Sequence, residues 1–156
     1  MTGRRRGRVI TLLLVLTATG CGGSSSPVTP TPPTPALPTR AVVVQGGFQL
    51  AADYHDGVWF STTRLGTLDI TVDWTYSDSV VWIYVGQGTC TEIQFQAGQC
   101  PFIAQSLVAT PKPRVLTLPS LAAGPYTLFI YNGSQRPESV AFIVGLTAEA
   151  SAQGVQ

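Results

Sequence analysis

The chain has 156 residues, 44% of them apolar and 11% charged, with nine basic and eight acidic side chains and a formal net charge of +1. Four of the basic residues, Arg4, Arg5, Arg6 and Arg8, lie within the first eight positions, so the rest carries five basic residues against eight acidic ones, a net of −3. A mildly acidic body without basic clusters excludes an electrostatic footprint for nucleic acid and for anionic lipid head groups.

The basic start leads into an apolar run over residues 9–18 and then into the small residues Ala18, Thr19 and Gly20 before Cys21. A helix needs about 20 apolar residues to cross a hydrocarbon core, so a run this short reads as a cleaved export signal. A cysteine directly after small residues resembles the lipobox of bacterial lipoprotein signals, although Ala18 stands where leucine is commoner. The resemblance implies a signal peptide over residues 1–20, lipid attachment at Cys21, and a lipid anchor as the only membrane link. Gly22 in place of aspartate implies sorting to the outer membrane of the cell envelope, on its periplasmic or surface face, in a host with two membranes. Removal of the signal leaves 136 residues, about one domain.

Residues 21–39 contain Pro27, Pro30, Pro32, Pro33, Pro35 and Pro38, with serine and threonine between them. Such a composition favours extended polyproline conformation and builds no core, so the stretch reads as a disordered stalk reaching up to ~55 Å at ~3.1 Å per residue. The alternative, a proline-motif ligand, has less support in an exported tether.

From residue 40 short apolar runs are divided by Gly, Pro, Asn and Asp, and their period is two. Within residues 67–76, Leu68, Ile70, Val72 and Trp74 share one face and Asp69, Thr71 and Asp73 the other, as in a strand with one buried face. Ser77-Asp78-Ser79 reads as the following turn. Residues 80–85 are apolar on both faces, fitting a strand covered on both sides or one whose outer face meets a loop. Strands are expected over 126–131 and 139–147, joined by a wide turn opening on Asn132-Gly133. Weaker strands are expected over 45–51, 58–63, 102–108 and 114–118, with Asp56-Gly57 turning between the first two. Seven to nine short strands with almost no helix indicate an all-β, antiparallel, jelly-roll-like β-sandwich over residues 40–148, with a barrel as the alternative. Residues 149–156 read as a flexible tail.

Three cysteines are an odd number, and assigning Cys21 to the lipid resolves the parity. Cys90 and Cys100 then form a disulfide in an oxidising compartment; a metal or redox pair is the competing reading, without CxxC spacing or a His cluster to support it.

The order of Gly66-Thr-Leu-Asp-Ile-Thr-Val, Trp82-Ile-Tyr-Val, Leu121-Ala-Ala-Gly-Pro-Tyr-Thr-Leu and the final Ser-Val-Ala-Phe-Ile-Val resembles the bacterial prepeptidase C-terminal (PPC-like) domain family over residues 48–147. The resemblance implies a compact β-sandwich attached to exported proteins. Trp82 occupies the place where that family commonly has an Asp, so the acidic set that calcium-binding relatives use is incomplete.

His55, the single histidine, sits in Asp53-Tyr-His-Asp-Gly57, where turn chemistry explains the cluster better than a general base without a nucleophile motif. Asp69 and Asp73 share a strand face but stand ~13 Å apart along it, too far for one calcium ion. No catalytic residue, metal ligand or cofactor is therefore assigned. Of Trp59, Trp74, Trp82, Tyr54, Tyr76, Tyr84, Tyr126 and Tyr131, most belong to the core, Trp74 among them; Tyr76 and Tyr131 are the candidates for an exposed ligand-binding surface. The expected function is a membrane-anchored, non-catalytic binding module for an envelope protein or polysaccharide. A structural envelope lipoprotein without a dedicated ligand is the second reading, a hydrolase the third.

Overall fold

Between Arg40 and Ala148 the chain forms eight strands, β1 (Arg40–Leu50), β2 (Tyr54–Thr62), β3 (Gly66–Trp74), β4 (Val81–Gln87), β5 (Phe102–Ser106), β6 (Arg114–Leu121), β7 (Gly124–Asn132) and β8 (Glu138–Ala148), and one short helix, α1 (Glu92–Gln96). This is a computed structural model, and it describes residues 38–108 and 111–149. Cys21, the signal segment and all of the stalk but its last two residues lie outside the described residues.

The strands pair antiparallel in two four-stranded sheets, ordered β1-β8-β3-β6 and β2-β7-β4-β5. That interleaving is the jelly roll, two Greek keys wound together. Alternation supplies the core: Leu68, Ile70, Val72 and Trp74 of β3, Val140, Phe142, Val144 and Leu146 of β8, Val81, Ile83 and Val85 of β4, and Tyr126, Leu128 and Ile130 of β7 meet between the sheets. The opposite faces point outward, Asp69 and Asp73 among them.

β4 has the second of its two expected environments. Its inward residues are buried in the core, and on its outer face Tyr84 meets the loop over residues 88–101. That loop folds back over the sheet, where α1 lays Phe95 against His55, Tyr84, Phe102 and Phe129, with ring centroids 4.5 to 5.6 Å away. Cys90 and Cys100 are joined by a disulfide, Cα atoms 5.8 Å apart, that holds both ends of this flap. The helix starts on a capping box: Thr91 Oγ1 accepts from the Gln94 backbone N–H, and the Gln94 side chain accepts from the Thr91 N–H.

One expected turn is wrong. Asp56-Gly57 lies inside β2, and the reversal occurs earlier, where Asp53 takes a left-handed φ of 54°. Gly57 is opposite Phe129, and a Cβ there would stand 2.6 Å from the Phe129 ring. The glycine thus serves a cross-strand aromatic, whose packing outweighs the local turn preference of Asp-Gly.

Strand direction divides the sandwich into two ends. Arg40, where the linker segment joins, pairs with Thr147; at the other end of the same ladder Leu50 pairs with Glu138. Eleven residues at ~3.3 Å put these ends roughly 35 Å apart. The connections β1–β2, β3–β4, β5–β6 and β7–β8 all fall at the end distal to Arg40. Glu149 belongs to the proximal end, its N–H bonded to the Leu65 carbonyl and its carboxylate accepting from Ser120 Oγ at 3.1 Å.

Candidate binding site at the distal loops

Two buried polar residues fix the distal connections. Asn132, fully buried at the end of β7, donates through Nδ2 to the carbonyls of Ala51 (2.9 Å) and Arg136 (2.8 Å) and accepts from Ser134 N–H (3.0 Å). Glu138, also fully buried, accepts from Thr75 N–H (2.9 Å), Tyr76 N–H (3.2 Å) and the Ser79 hydroxyl. The β3–β4 and β7–β8 loops are also joined directly, Gly133 N–H to the Val80 carbonyl (2.9 Å) and Val80 N–H to Ser134 Oγ (2.7 Å). Buried polar groups need such partners, and the pattern leaves little freedom in three of the four distal loops.

Between these loops lies a cleft of about 360 Å³ lined by residues 78–80 and 133–136. Arg136 and Asp78 form an ion pair at its mouth, and the guanidinium carbon of Arg136 sits 4.1 Å from the centroid of the Tyr76 ring. On the sheet side, Gly133 borders Tyr131, whose Cε1 would be 3.2 Å from a Cβ at that glycine. Tyr131 pairs across the strands with Trp82, the two rings stacked with centroids 5.2 Å apart and planes 24° from parallel. Its hydroxyl donates to Asp53 in the β1–β2 turn, and this bond, with partial burial, raises the phenol above its ordinary pKa.

Tyr76, exposed, stacks against Arg136 of the cleft lining, and Tyr131, half-buried, lies beside Gly133 of the same lining. Asp78, Ser134 and Arg136 line the cleft, and Trp82 stacks on Tyr131 beside it. The sequence marked Trp82 only among the aromatic residues and at the PPC-like Asp position, and the local signals for the other three were the Ser77-Asp78-Ser79 and Asn132-Gly133 turns.

A larger cleft, about 450 Å³, opens between the edge strands β5 and β6, bordered by Ile103, Leu118, Ser120 and Tyr126. No charged side chain lines it, and Tyr126 is buried with its hydroxyl bonded to the Ala122 carbonyl. It offers little to orient a polar ligand.

The other sequence candidates lie elsewhere. His55 is buried on the outer face of β2, its Nε2 3.9 Å from Glu92 Oε1 and without a hydrogen-bond partner. Asp56 bonds the adjacent Gly57 N–H, so it does not orient the imidazole. Tyr54 donates to Glu92 at 3.2 Å, and Trp59, 61% exposed, donates to the Cys90 carbonyl at 2.9 Å. Asp69 accepts from Thr117 Oγ1 at 2.7 Å and Asp73 pairs with Lys112 at 3.2 Å. Among the described residues no three His, Cys, Asp or Glu side chains gather to hold a metal ion.

No family model and no curated protein matches the chain. Among solved structures, it is similar to a mitogen derived from Yersinia pseudotuberculosis, with a TM-score of 0.51 and 11% identity over 75% of this chain and 93% of that one. A carbohydrate binding module from a Cellvibrio mixtus lichenase, in complex with cellotriose, matches at a TM-score of 0.38 with 9% identity, covering 72% of this chain and 91% of that one. A tomato aspermy virus structure matches at 0.35 with 13% identity, covering 73% and 82%. The likeness to the mitogen is one of fold: an antiparallel β-sandwich.

Proposed function

We propose that the chain is an exported lipoprotein held to an envelope membrane through Cys21, and that its sandwich is a non-catalytic module binding an envelope protein or polysaccharide at the distal loops. The observation that carries this reading is the polarity of the domain. The linker segment joins at Arg40, while Tyr76, Tyr131 and the Asp78–Arg136 pair stand at the opposite end of the strands. A tether at one end and an interlocked polar and aromatic cleft at the other suit a module presented away from a membrane, and the proline-rich stalk adds reach and multivalency.

The environment of His55 supports the non-catalytic part. It is packed between Phe95 and Phe129, and none of the described hydroxyls or thiols bonds to it, so the base and nucleophile geometry of acyl transfer is not formed around it. The prepeptidase C-terminal resemblance points the same way, its motifs falling on β3, β4, the β6–β7 connection and β8. Metabolic lipid labelling tests the anchor: the wild type incorporates label and Cys21→Ser does not, and labelling of Cys21→Ser contradicts the anchor. Retention of the chain on delipidated envelope material tests the module. Retention lost in Tyr76→Ala and Arg136→Gln supports it, and retention unchanged in both contradicts it.

A further inference from the structure

We propose that the distal cleft binds a neutral saccharide, stacking a pyranose ring on the Trp82–Tyr131 pair and hydrogen-bonding its vicinal hydroxyls to Asp78 and Arg136; this rests on the binding-module reading above. The cleft and the aromatic pair beside it each contribute one element of that recognition. Trp82 and Tyr131 are the last outward aromatic pair of their strands before the distal loops, one step beyond the Tyr84–Phe129 pair that the flap covers. They give a half-exposed apolar patch next to the polar cleft, and a sugar ring, with an apolar C–H face and a polar rim, matches that combination.

The rim chemistry selects hydroxyls over ions. Asp78 and Arg136 sit side by side as acceptor and multiple donor, and adjacent sugar hydroxyls both donate and accept. Their charges cancel within the pair, while Asp53 and Glu138 add negative charge around the cleft. A carboxylated or phosphorylated ligand therefore meets repulsion that a neutral sugar does not. Arg136 is already held by stacking on Tyr76 and by its pairing with Asp78, and the loops are fixed from beneath by Asn132 and Glu138, so little ordering remains to oppose binding. A volume of about 360 Å³ lies within the ~300–1,000 Å³ of small-molecule sites.

The test is a titration of the full chain with maltotetraose, cellotetraose and tetragalacturonate, followed by tryptophan fluorescence and by amide chemical shifts. At least one neutral tetrasaccharide is expected to saturate and to shift residues 76–82 and 131–136, with tetragalacturonate at least tenfold weaker. Trp82→Ala and, on a surface position that tolerates change, Asp78→Asn each weaken binding at least tenfold, and Trp59→Ala on the same sheet leaves it unchanged. Saturation unaffected by both Trp82→Ala and Asp78→Asn, or preference for tetragalacturonate, overturns the proposal. If neither neutral sugar binds while delipidated envelope material still retains the wild type and releases Tyr76→Ala, the saccharide inference falls and the module stands. If that material does not retain the wild type either, both fall.

Discussion

The buried carboxylate of Glu138, at the first position of β8, accepts the hydroxyl of Ser79 in the β3–β4 loop, 59 residues earlier in the chain. With the N–H groups of Thr75 and Tyr76 on the same carboxylate, this one side chain ties the two loops that border the cleft. Glu138→Ala strands three donors and is expected to cost about 2–4 kcal/mol, because a buried unsatisfied group costs ~1–3 kcal/mol. Glu138→Gln keeps one carbonyl acceptor and recovers part of that loss. Urea midpoints at constant slope measure both, and a midpoint unchanged in Glu138→Ala contradicts the role assigned to the carboxylate.

Reducing Cys90–Cys100, or replacing both residues by serine, is expected to remove roughly 2–3 kcal/mol from stability, the chain-entropy value for a loop of this length. Release of the flap also uncovers Phe95 and Phe129, so the reduced form should bind a hydrophobic dye more strongly than the oxidised form. Equal stability and equal dye binding would show that the flap holds without its staple.

Gly57→Ala places a methyl group 2.6 Å from the Phe129 ring and is expected to destabilise by about 1–3 kcal/mol, as overpacking does. Combining it with Phe129→Leu should restore part of the loss, so the double-mutant cycle reports coupling between the two positions. Additive effects would mean that the ring does not need the glycine.

Tyr131, through its bond to Asp53 and its burial, and Tyr84 and Tyr126, through burial, all have phenols raised from the ordinary value of 10.0. The folded chain therefore holds these protons more tightly than the unfolded one. Their contribution to stability is complete below about pH 10 and is lost as pH climbs through the raised folded values. Ultraviolet titration should show these phenols ionising later than free tyrosine, with unfolding following at alkaline pH. Tyr131→Phe should remove one late-titrating group, and ionisation of all five tyrosines together at the free value would contradict the assignment.

Period-two patterning made the strands legible because burial on one face is written directly into alternate residues, as in Leu68, Ile70, Val72 and Trp74. The disulfide followed from cysteine parity, with Cys21 assigned to the lipid, and from the oxidising compartment that an export signal implies. Asp56-Gly57 misled because its local preference points to a turn, while the partner that decides the matter, Phe129, lies 72 residues away. The flap helix had a readable start in Thr91-Glu-Ile-Gln94, but five residues give no helical period. At the candidate site, the aromatic character of Tyr76 and Tyr131 was visible, and the convergence of Asp78, Trp82 and Arg136 was not. It depends on jelly-roll order, which pairs β3 with β8 in one sheet and β4 with β7 in the other and so brings the β3–β4 and β7–β8 loops side by side.

Contact with the target through the distal loops, as proposed, can be read by site-specific photo-cross-linking. A benzophenone side chain is placed at Gln135, on the cleft, and in a second variant at Arg64, exposed in the β2–β3 loop at the proximal end. On irradiation with isolated envelopes, Gln135 should give a discrete adduct, competed by unlabelled wild-type chain, and Arg64 should give none. Adducts of equal yield from both positions, or from Arg64 alone, would show that the distal loops are not the contact surface.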